Sequence, residues 1–342
     1  MQRAIELAAA HHTHPNPRVG AVVVDRTGEI VGEGAHGGPG QAHAEVIALE
    51  HAGDRARGAT LYVTLEPCTH YGLTPPCVTS IASAGVAKVV VGTIDPDDRV
   101  SGSGISWLQD AGIEVLTGVL AGSAESLDAS YFHQRRTGLP LVTMKLAMTI
   151  DGSVAAADGS SRWISSEEAR LDAHVLRSTM DAVVIGARTL RVDDPLLTVR
   201  LDEPVDRQPV PVVVAGRGAL PTMSRIWERS PVVVATSPMD LPSGELVVVD
   251  PGPDGLPDPR ATATALADRG LYDVLLEGGP TLAGSWWRSG VVTRGVVYLA
   301  ARVGGGRGIP PLEGGFDTMA QSREVRIRDA RMVGPDLRIE FE

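Results

Sequence analysis

Thr64-Leu65-Glu66-Pro67-Cys68-Thr69-His70-Tyr71-Gly72-Leu73-Thr74-Pro75-Pro76-Cys77 contains both cysteines of this 342-residue chain. The residues leading into it alternate. Leu61, Val63 and Leu65 take one side and Tyr62, Thr64 and Glu66 the other, which is the period of a β-strand. Pro67 ends the strand, because a proline cannot donate to a sheet ladder. From Cys77 the period changes: Val78, Ile81 and Ala82 fall on one helical face, with Gly85 as the stop. One cysteine therefore follows a strand and the other opens a helix. Two cysteines alone admit three readings, namely one disulfide, two inert thiols or two metal ligands.

The residues upstream narrow that choice. Residues 43–51 read as a helix with Ala44, Ile47 and Ala48 on one face, and His43-Ala44-Glu45 opens it. A His-x-Glu followed by a strand, a Pro-Cys and a second Pro-Cys is the signature of zinc deaminases. His43, Cys68 and Cys77 give three ligands and leave a fourth position for water, as catalytic zinc requires. Both thiols lie near helix N-termini, where the dipole favours a thiolate. Zinc lowers the pKa of water toward ~7. Glu45, two residues from His43, is the expected base that takes the water proton and passes it to departing ammonia.

Around this centre the chain alternates strands and helices. Residues 19–25 and 30–33 read as paired strands about the turn Arg26-Thr27-Gly28-Glu29, and residues 86–94 as a strand buried on both faces. A helix over 107–111 and a strand over 113–116 follow. Polar residues 134–140, ending in Gly and Pro, read as a linker, giving domains 1–138 and 139–342. After it, apolar runs at 141–148, 182–185, 210–214, 232–235, 246–249, 274–276 and 296–299 alternate with helices. This is a second α/β domain with a largely parallel sheet. Ser165 and Glu168 are expected to form a capping box opening a helix to about Arg177. Residues 325–329 and 337–341 read as a closing hairpin.

Asp plus Glu number 42 and Lys plus Arg 31, a net charge of −11. That acidity disfavours a nucleic-acid partner, which needs a basic field. No run approaches the ~18 apolar residues of a membrane span, and the N-terminus lacks a signal-peptide core. A cytoplasmic protein with reduced thiols is expected.

At these residues the chain resembles the bifunctional riboflavin-biosynthesis deaminase–reductases, along nearly its whole length. Thr13-His14-Pro15-Asn16-Pro17-Arg18-Val19-Gly20, Gly32-Glu33-Gly34-Ala35-His36, Ala42-His43-Ala44-Glu45-Val46 and the opening stretch carry the likeness in the first half. The resemblance implies a cytidine-deaminase-like αβα zinc domain, in which Asn16 and His36 help hold the pyrimidine. Eight residues separate the cysteines, unlike the two-residue gap usual in cytidine and tRNA deaminases. Leu73 stands where the family usually has Arg or Lys, and a contact to the substrate phosphate is missing there.

In the second half the likeness rests on Lys145-Leu146-Ala147, Ile150-Asp151-Gly152, Ser161-Arg162-Trp163-Ile164-Ser165, Gly186-Ala187-Arg188-Thr189, Val192-Asp193-Asp194-Pro195-Leu196-Leu197-Thr198-Val199-Arg200 and Glu277-Gly278-Gly279-Pro280-Thr281-Leu282. It implies a dihydrofolate-reductase-like α/β domain. By resemblance, Ala147, Trp163, Thr189, Asp193, Gly279, Pro280, Thr281, Leu282, Ala283, Gly284 and Ser285 touch NADPH. Ser161, Arg177, Leu197, Arg200 and Glu277 contact the ribose-phosphate substrate. Lys145, Asp151 and Glu277 are candidates for moving the proton, with Lys145 taken as catalytic. Ala215-Gly216 replaces an acidic residue and a hydroxyl common in the family. Gly304-Gly305-Gly306-Arg307-Gly308 reads as a flexible loop lining the nucleotide.

The implied activity is deamination of 2,5-diamino-6-ribosylamino-4(3H)-pyrimidinone 5′-phosphate, then NADPH-dependent reduction of ribosyl to ribityl, by a dimer or tetramer. Three alternatives stand beside it: a deaminase with an inactive reductase domain, a nucleic-acid base deaminase, and a structural zinc module.

Overall fold

The computed structural model describes every residue except 12, 73, 98, 99, 206, 315 and 316. Chain contacts divide it into Met1–Thr137 and Gly138–Glu342.

The first unit runs α1 (Gln2–Ala9), β1 (Gly20–Val24), β2 (Ile30–Ala35), α2 (Ala44–Ala52), β3 (Thr60–Leu65), α3 (Cys77–Ser83), β4 (Lys88–Thr93), α4 (Ser103–Asp110), β5 (Glu114–Thr117), α5 (Ala121–Leu127) and α6 (Ala129–Thr137). Its five-stranded sheet has the order β2-β1-β3-β4-β5. β1 is antiparallel to both neighbours, while β3, β4 and β5 are parallel. Leu61 and Val63 of β3, Ala48 of α2 and Ile81 of α3 are fully buried in one core. That core fixes α2 and α3 against the sheet, so the N-terminus of each helix comes to the end of β3. Gly34 lets α2 lie directly on β2, since a Cβ there would stand 2.2 Å from the Ala44 carbonyl oxygen.

Residues 134–137, expected as linker, instead complete α6. Their polarity is deceptive: Arg135 lies over the Tyr131 ring at 5.1 Å and Arg136 over Phe132 at 5.3 Å, both at helical i,i+4 spacing. α4 also begins earlier than the sequence pattern indicated, at Ser103.

The second unit runs β6 (Leu141–Thr149), α7 (Glu167–Ser178), β7 (Ala182–Gly186), α8 (Ala187–Asp193), β8 (Val210–Val214), β9 (Val232–Ala235), β10 (Glu245–Val248), α9 (Pro259–Ala267), β11 (Asp273–Leu276), α10 (Pro280–Ser289), β12 (Val292–Ala300), β13 (Ile327–Val333) and β14 (Asp336–Phe341). The nine strands lie in the order β10-β9-β8-β7-β11-β6-β12-β14-β13. They are parallel from β10 to β12, and the terminal hairpin is antiparallel. Val184, Val212, Val274 and Leu276 are fully buried on one face; Val183, Val213, Val233 and Leu275 are so on the other. This two-sided burial explains the near-continuous apolar runs.

The cap of α7 is Ser166, whose side chain accepts the Ala169 N–H, and not the expected Ser165 box with Glu168. The register shifts by one because Ser166 is itself held: its N–H donates to Asp336 at 2.7 Å. Among the described residues no helix is long and apolar enough to cross a membrane.

Candidate active sites

In the first unit the end of β3 brings the expected ligands together. The donor atoms of His43, Cys68 and Cys77 all lie within 4.8 Å of one another. His43 Nδ1 is 3.1 Å from Cys77 Sγ and 3.6 Å from Cys68 Sγ. His43 caps α2, and Cys77 is the first residue of α3. Cys68 Sγ accepts the Cys77 amide at 3.4 Å, so both sulfurs sit at the positive end of α3. The other imidazole nitrogen of His43, Nε2, is 3.1 Å from Thr74 Oγ1, which turns Nδ1 toward the sulfurs.

The chemistry of this donor set fits a divalent cation. The Cys68 thiol is held below its ordinary range, first by its hydrogen bond with Cys77 and then, against burial, by His43. Cys77 is pushed up by that same bond, by burial and by the Glu45 charge. One sulfur is thus ready as a thiolate, and the second loses its proton when a cation offsets the crowded negative charge. Glu45, in the first turn of α2, is 3% exposed, and burial raises its carboxyl above the ordinary range.

Asn16 and His36 stand beside this centre. The His36 ring makes an edge contact with His43, centroids 5.2 Å apart. Its Nδ1–H donates to the Ala42 carbonyl at 3.1 Å, so Nε2 accepts from Asn16 Nδ2 at 3.0 Å. Among the described residues nothing donates to the Asn16 amide oxygen, which can accept from a ring N–H. Leu73, where the missing basic contact was noted, lies outside the described residues.

Sequence reasoning gave Glu66 no role. It is 4% exposed and accepts four backbone N–H groups: Gly102 and Gly104 at 2.9 Å, Asp95 and Ile105 at 3.3 Å. It ties the start of α4 to the residue preceding Pro67-Cys68. A Cβ on Gly104 would stand 2.1 Å from the Pro67 carbonyl oxygen.

In the second unit the predicted residues gather at the carboxyl ends of β6, β11 and β7, where open α/β sheets bind ligands. Lys145 and Ala147 share one face of β6, and Lys145 Nζ lies 5.8 Å from the centre of the buried Tyr298 ring. Glu277 follows β11, whose register runs Leu276 beside Met144. Arg177 of α7 meets Glu277 in a bidentate pair, both contacts 2.9 Å, with the side chains 12% and 13% exposed. Its third nitrogen, Nη1, donates to the Thr198 carbonyl at 2.7 Å. Burial alone would raise the Glu277 carboxyl, but Arg177 and Lys145 outweigh it and hold the group ionised.

Asp151 is engaged differently from a proton carrier. Its carboxylate accepts the amides of Gly304 at 3.0 Å, Gly305 at 2.7 Å and Gly306 at 3.2 Å, and the Thr149 hydroxyl at 2.6 Å. These bonds hold its pKa well below the carboxylate range. The anchored loop lines a cleft of about 480 Å³ together with Thr149, Ser161, Trp163 and Arg307. Asp151→Ala is expected to speed hydrogen exchange at Gly304, Gly305 and Gly306 while leaving β6 protected. Because the pKa is depressed, the native loop keeps its protection above the ordinary carboxylate range and loses it only as pH falls through that lowered pKa. Unchanged exchange in the variant would show that the carboxylate does not hold the loop.

Trp163 is 62% exposed, with Arg170 stacked on it at 4.5 Å. Asp193 Oδ1 of α8 is 4.0 Å from the exposed Arg162 guanidinium. Thr189 Oγ1 would be 3.5 Å from a Cβ on Gly279, the residue that caps α10 without a side-chain bond. Open amides at a ten-residue helix start suit a pyrophosphate, so this edge fits a dinucleotide. Within the α10 segment, Ala283 is core, Thr281 bonds Glu313, and a Cβ on Gly284 would meet the Glu313 carbonyl oxygen. Leu282 packs on the core, and Pro280 and Ser285 are half-buried. Leu197, at φ 53°, is 5% exposed and packs in the core, so it meets a ligand only through its backbone. Arg200 is exposed and lies against His174.

Comparison with known proteins agrees with this geometry. Residues 1–93 match the cytidine and deoxycytidylate deaminase zinc-binding region, and residues 140–338 match the RibD C-terminal domain. The chain is 38% identical to the riboflavin biosynthesis protein RibD of Escherichia coli (strain K12), over 98% of this chain and 96% of that protein. Acinetobacter baumannii RibD (form 1) superposes with a TM-score of 0.90 at 36% identity, covering 99% of this chain and 96% of that one. A diaminohydroxyphosphoribosylaminopyrimidine deaminase/5-amino-6-(5-phosphoribosylamino)uracil reductase from Thermotoga maritima does so at 0.87 and 33% identity, covering 100% and 97%. A cytidine-deaminase-like unit with a reductase unit behind it, matched end to end, places the chain in the RibD family of bifunctional riboflavin-biosynthesis deaminase–reductases.

Proposed function

We infer that residues 1–138 deaminate the diamino-ribosylaminopyrimidine phosphate and that residues 139–342 then reduce its ribosyl group to ribityl. The observation that carries the reading is the convergence of His43 Nδ1 with both sulfurs next to a buried Glu45. The deaminase is a zinc enzyme and the reductase uses NADPH. Zinc, when bound by His43, Cys68 and Cys77, supplies the Lewis acidity that makes water a nucleophile near neutral pH. Glu45 takes the proton from that water and delivers it to the leaving amine. Its raised basicity suits the first transfer, and its position two residues from His43 suits both. Asn16 and His36 orient the pyrimidine.

NADPH, when bound, supplies a hydride to the sugar carbon. Ala147, Trp163, Thr189, Asp193 and the α10 start from Gly279 to Ser285 hold it. Ser161, the Leu197 backbone, Arg200 and Glu277 hold the ribose phosphate, with Arg177 fixing Glu277. Of the three proton candidates, Asp151 spends its carboxylate on the Gly304, Gly305 and Gly306 amides, and Glu277 is kept ionised. Lys145 is left as the proton-handling group. The substrate is a small phosphorylated pyrimidine and not a polynucleotide, which a net charge of −11 disfavours. The enzyme works in the cytoplasm as a dimer or tetramer.

Supplying the deaminated pyrimidine with NADPH tests the second half alone. Oxidation of NADPH is the expected result. Its absence, with ammonia release intact on the diamino substrate, would make the chain a deaminase with an inactive reductase domain.

A further inference from the structure

His174 of α7 faces Arg200 in a way that leaves a place for an anion. The Arg200 main-chain N–H donates to His174 Nδ1 at 3.3 Å. An amide nitrogen can only donate, so Nδ1 carries the lone pair, and a neutral imidazole then carries its proton on Nε2. An Arg200 guanidinium nitrogen stands 3.3 Å from that Nε2, and it too can only donate. The two donors therefore face each other at 3.3 Å, and neither has an acceptor among the described residues. Neither side chain has another hydrogen-bond partner among the described residues. Burial, then Arg177 and Arg200 and, more weakly, Lys145, push the imidazole down to about 4, against the pull of Glu277. The ring is neutral at working pH, as the tautomer requires. Among the charged groups that act on it, Lys145, Arg177 and Arg200 outnumber the Glu277 carboxylate, an excess of positive charge that suits a dianion.

We propose that His174 is a substrate-binding residue of the reductase, its Nε2–H donating together with the Arg200 guanidinium to an oxygen of the substrate's phosphate. The proposal rests on the reading of Arg200 as a phosphate partner. It adds a residue that the sequence motifs do not single out, one turn before Arg177 on the same helix. The phosphate groups of NADPH share this chemistry, so the measurements must separate the two sources.

The test uses the full-length enzyme with His174→Leu, His174→Gln and Arg200→Gln. Three quantities are read: the reductase KM for the phosphorylated substrate, the inhibition constant of inorganic phosphate, and the NADPH Kd from fluorescence. His174→Leu is expected to raise the KM and the phosphate inhibition constant about tenfold, the size of one hydrogen bond to a charged group. The NADPH Kd should stay within twofold, which also shows that the unit is folded. His174→Gln, which keeps a donor within similar reach, should recover most of the loss. If Arg200→Gln weakens phosphate and both His174 variants do not, the His174 proposal fails and the Arg200 reading stands. If none of the three does, both fail. A rise in the NADPH Kd in place of the substrate KM would assign the anion to the cofactor and overturn the proposal.

Discussion

Glu45→Gln is expected to keep its zinc and to lose ammonia release by about 10²–10⁴-fold, the usual contribution of a placed general acid–base. Gln matches Glu in shape, so the packing of the first turn of α2 is retained. It cannot take a proton from water. The buried site makes the loss severe, because at 3% exposure bulk solvent does not supply a replacement base. Zinc should remain because its donors are His43, Cys68 and Cys77. Metal content by elemental analysis and ammonia by a coupled assay decide the matter on one preparation. Loss of zinc together with activity would make Glu45 a metal-site residue and not a base. Undiminished ammonia release would remove it from the mechanism. The reductase step on the deaminated substrate should be untouched.

Arg177→Met is expected to destabilise the second unit by about 3–5 kcal/mol, the cost of leaving one partner of a buried ion pair uncompensated. Both side chains are nearly enclosed, and Glu277 makes both its close contacts to this one guanidinium. The sign of the pH dependence should invert. In the native protein the Glu277 pKa is lowered, so the pair stabilises above the ordinary carboxylate range and the gain is lost as pH falls through the lowered value. In the variant burial acts with Lys145 and, more weakly, His174 left to oppose it, the pKa rises, and the penalty present near neutral pH is relieved as pH falls. Urea unfolding at about pH 7.5 and about pH 5 reads this directly. Trp163, Trp227, Trp286 and Trp287 all report on this unit. A native-like midpoint at both pH values would show that the pair carries little of the stability. Adding Glu277→Gln to Arg177→Met should restore much of it.

What could be read from the chain alone depended on whether the information was local. His43, Glu45, Cys68 and Cys77 were legible because each sits at the start or end of a short periodic element, and metal ligation fixes residue types as well as spacing. The strands of the second sheet were legible because burial on both faces leaves unbroken apolar runs. Helix α6 was hidden by its polar last turn, whose arginines lie over aromatic rings. What could not be read is long-range. The fold puts Glu277, a hundred residues away, in the fork of Arg177. It also brings amides 153 to 155 residues on to the Asp151 carboxylate. No local pattern marks Glu66, whose four donors lie 29 to 39 residues away. Backbone amides carry no side-chain signature, so a carboxylate that binds them is invisible in sequence.

The most direct measurement follows ammonia and NADPH separately in one reaction on the diamino-ribosylaminopyrimidine phosphate, before and after zinc is stripped with a chelator. With zinc, ammonia should appear first and NADPH oxidation should follow in equal amount. Without it both should stop on this substrate, while the deaminated substrate should still oxidise NADPH at its original rate. NADPH oxidation on the diamino substrate with zinc absent and no ammonia released would contradict two sites acting in that order.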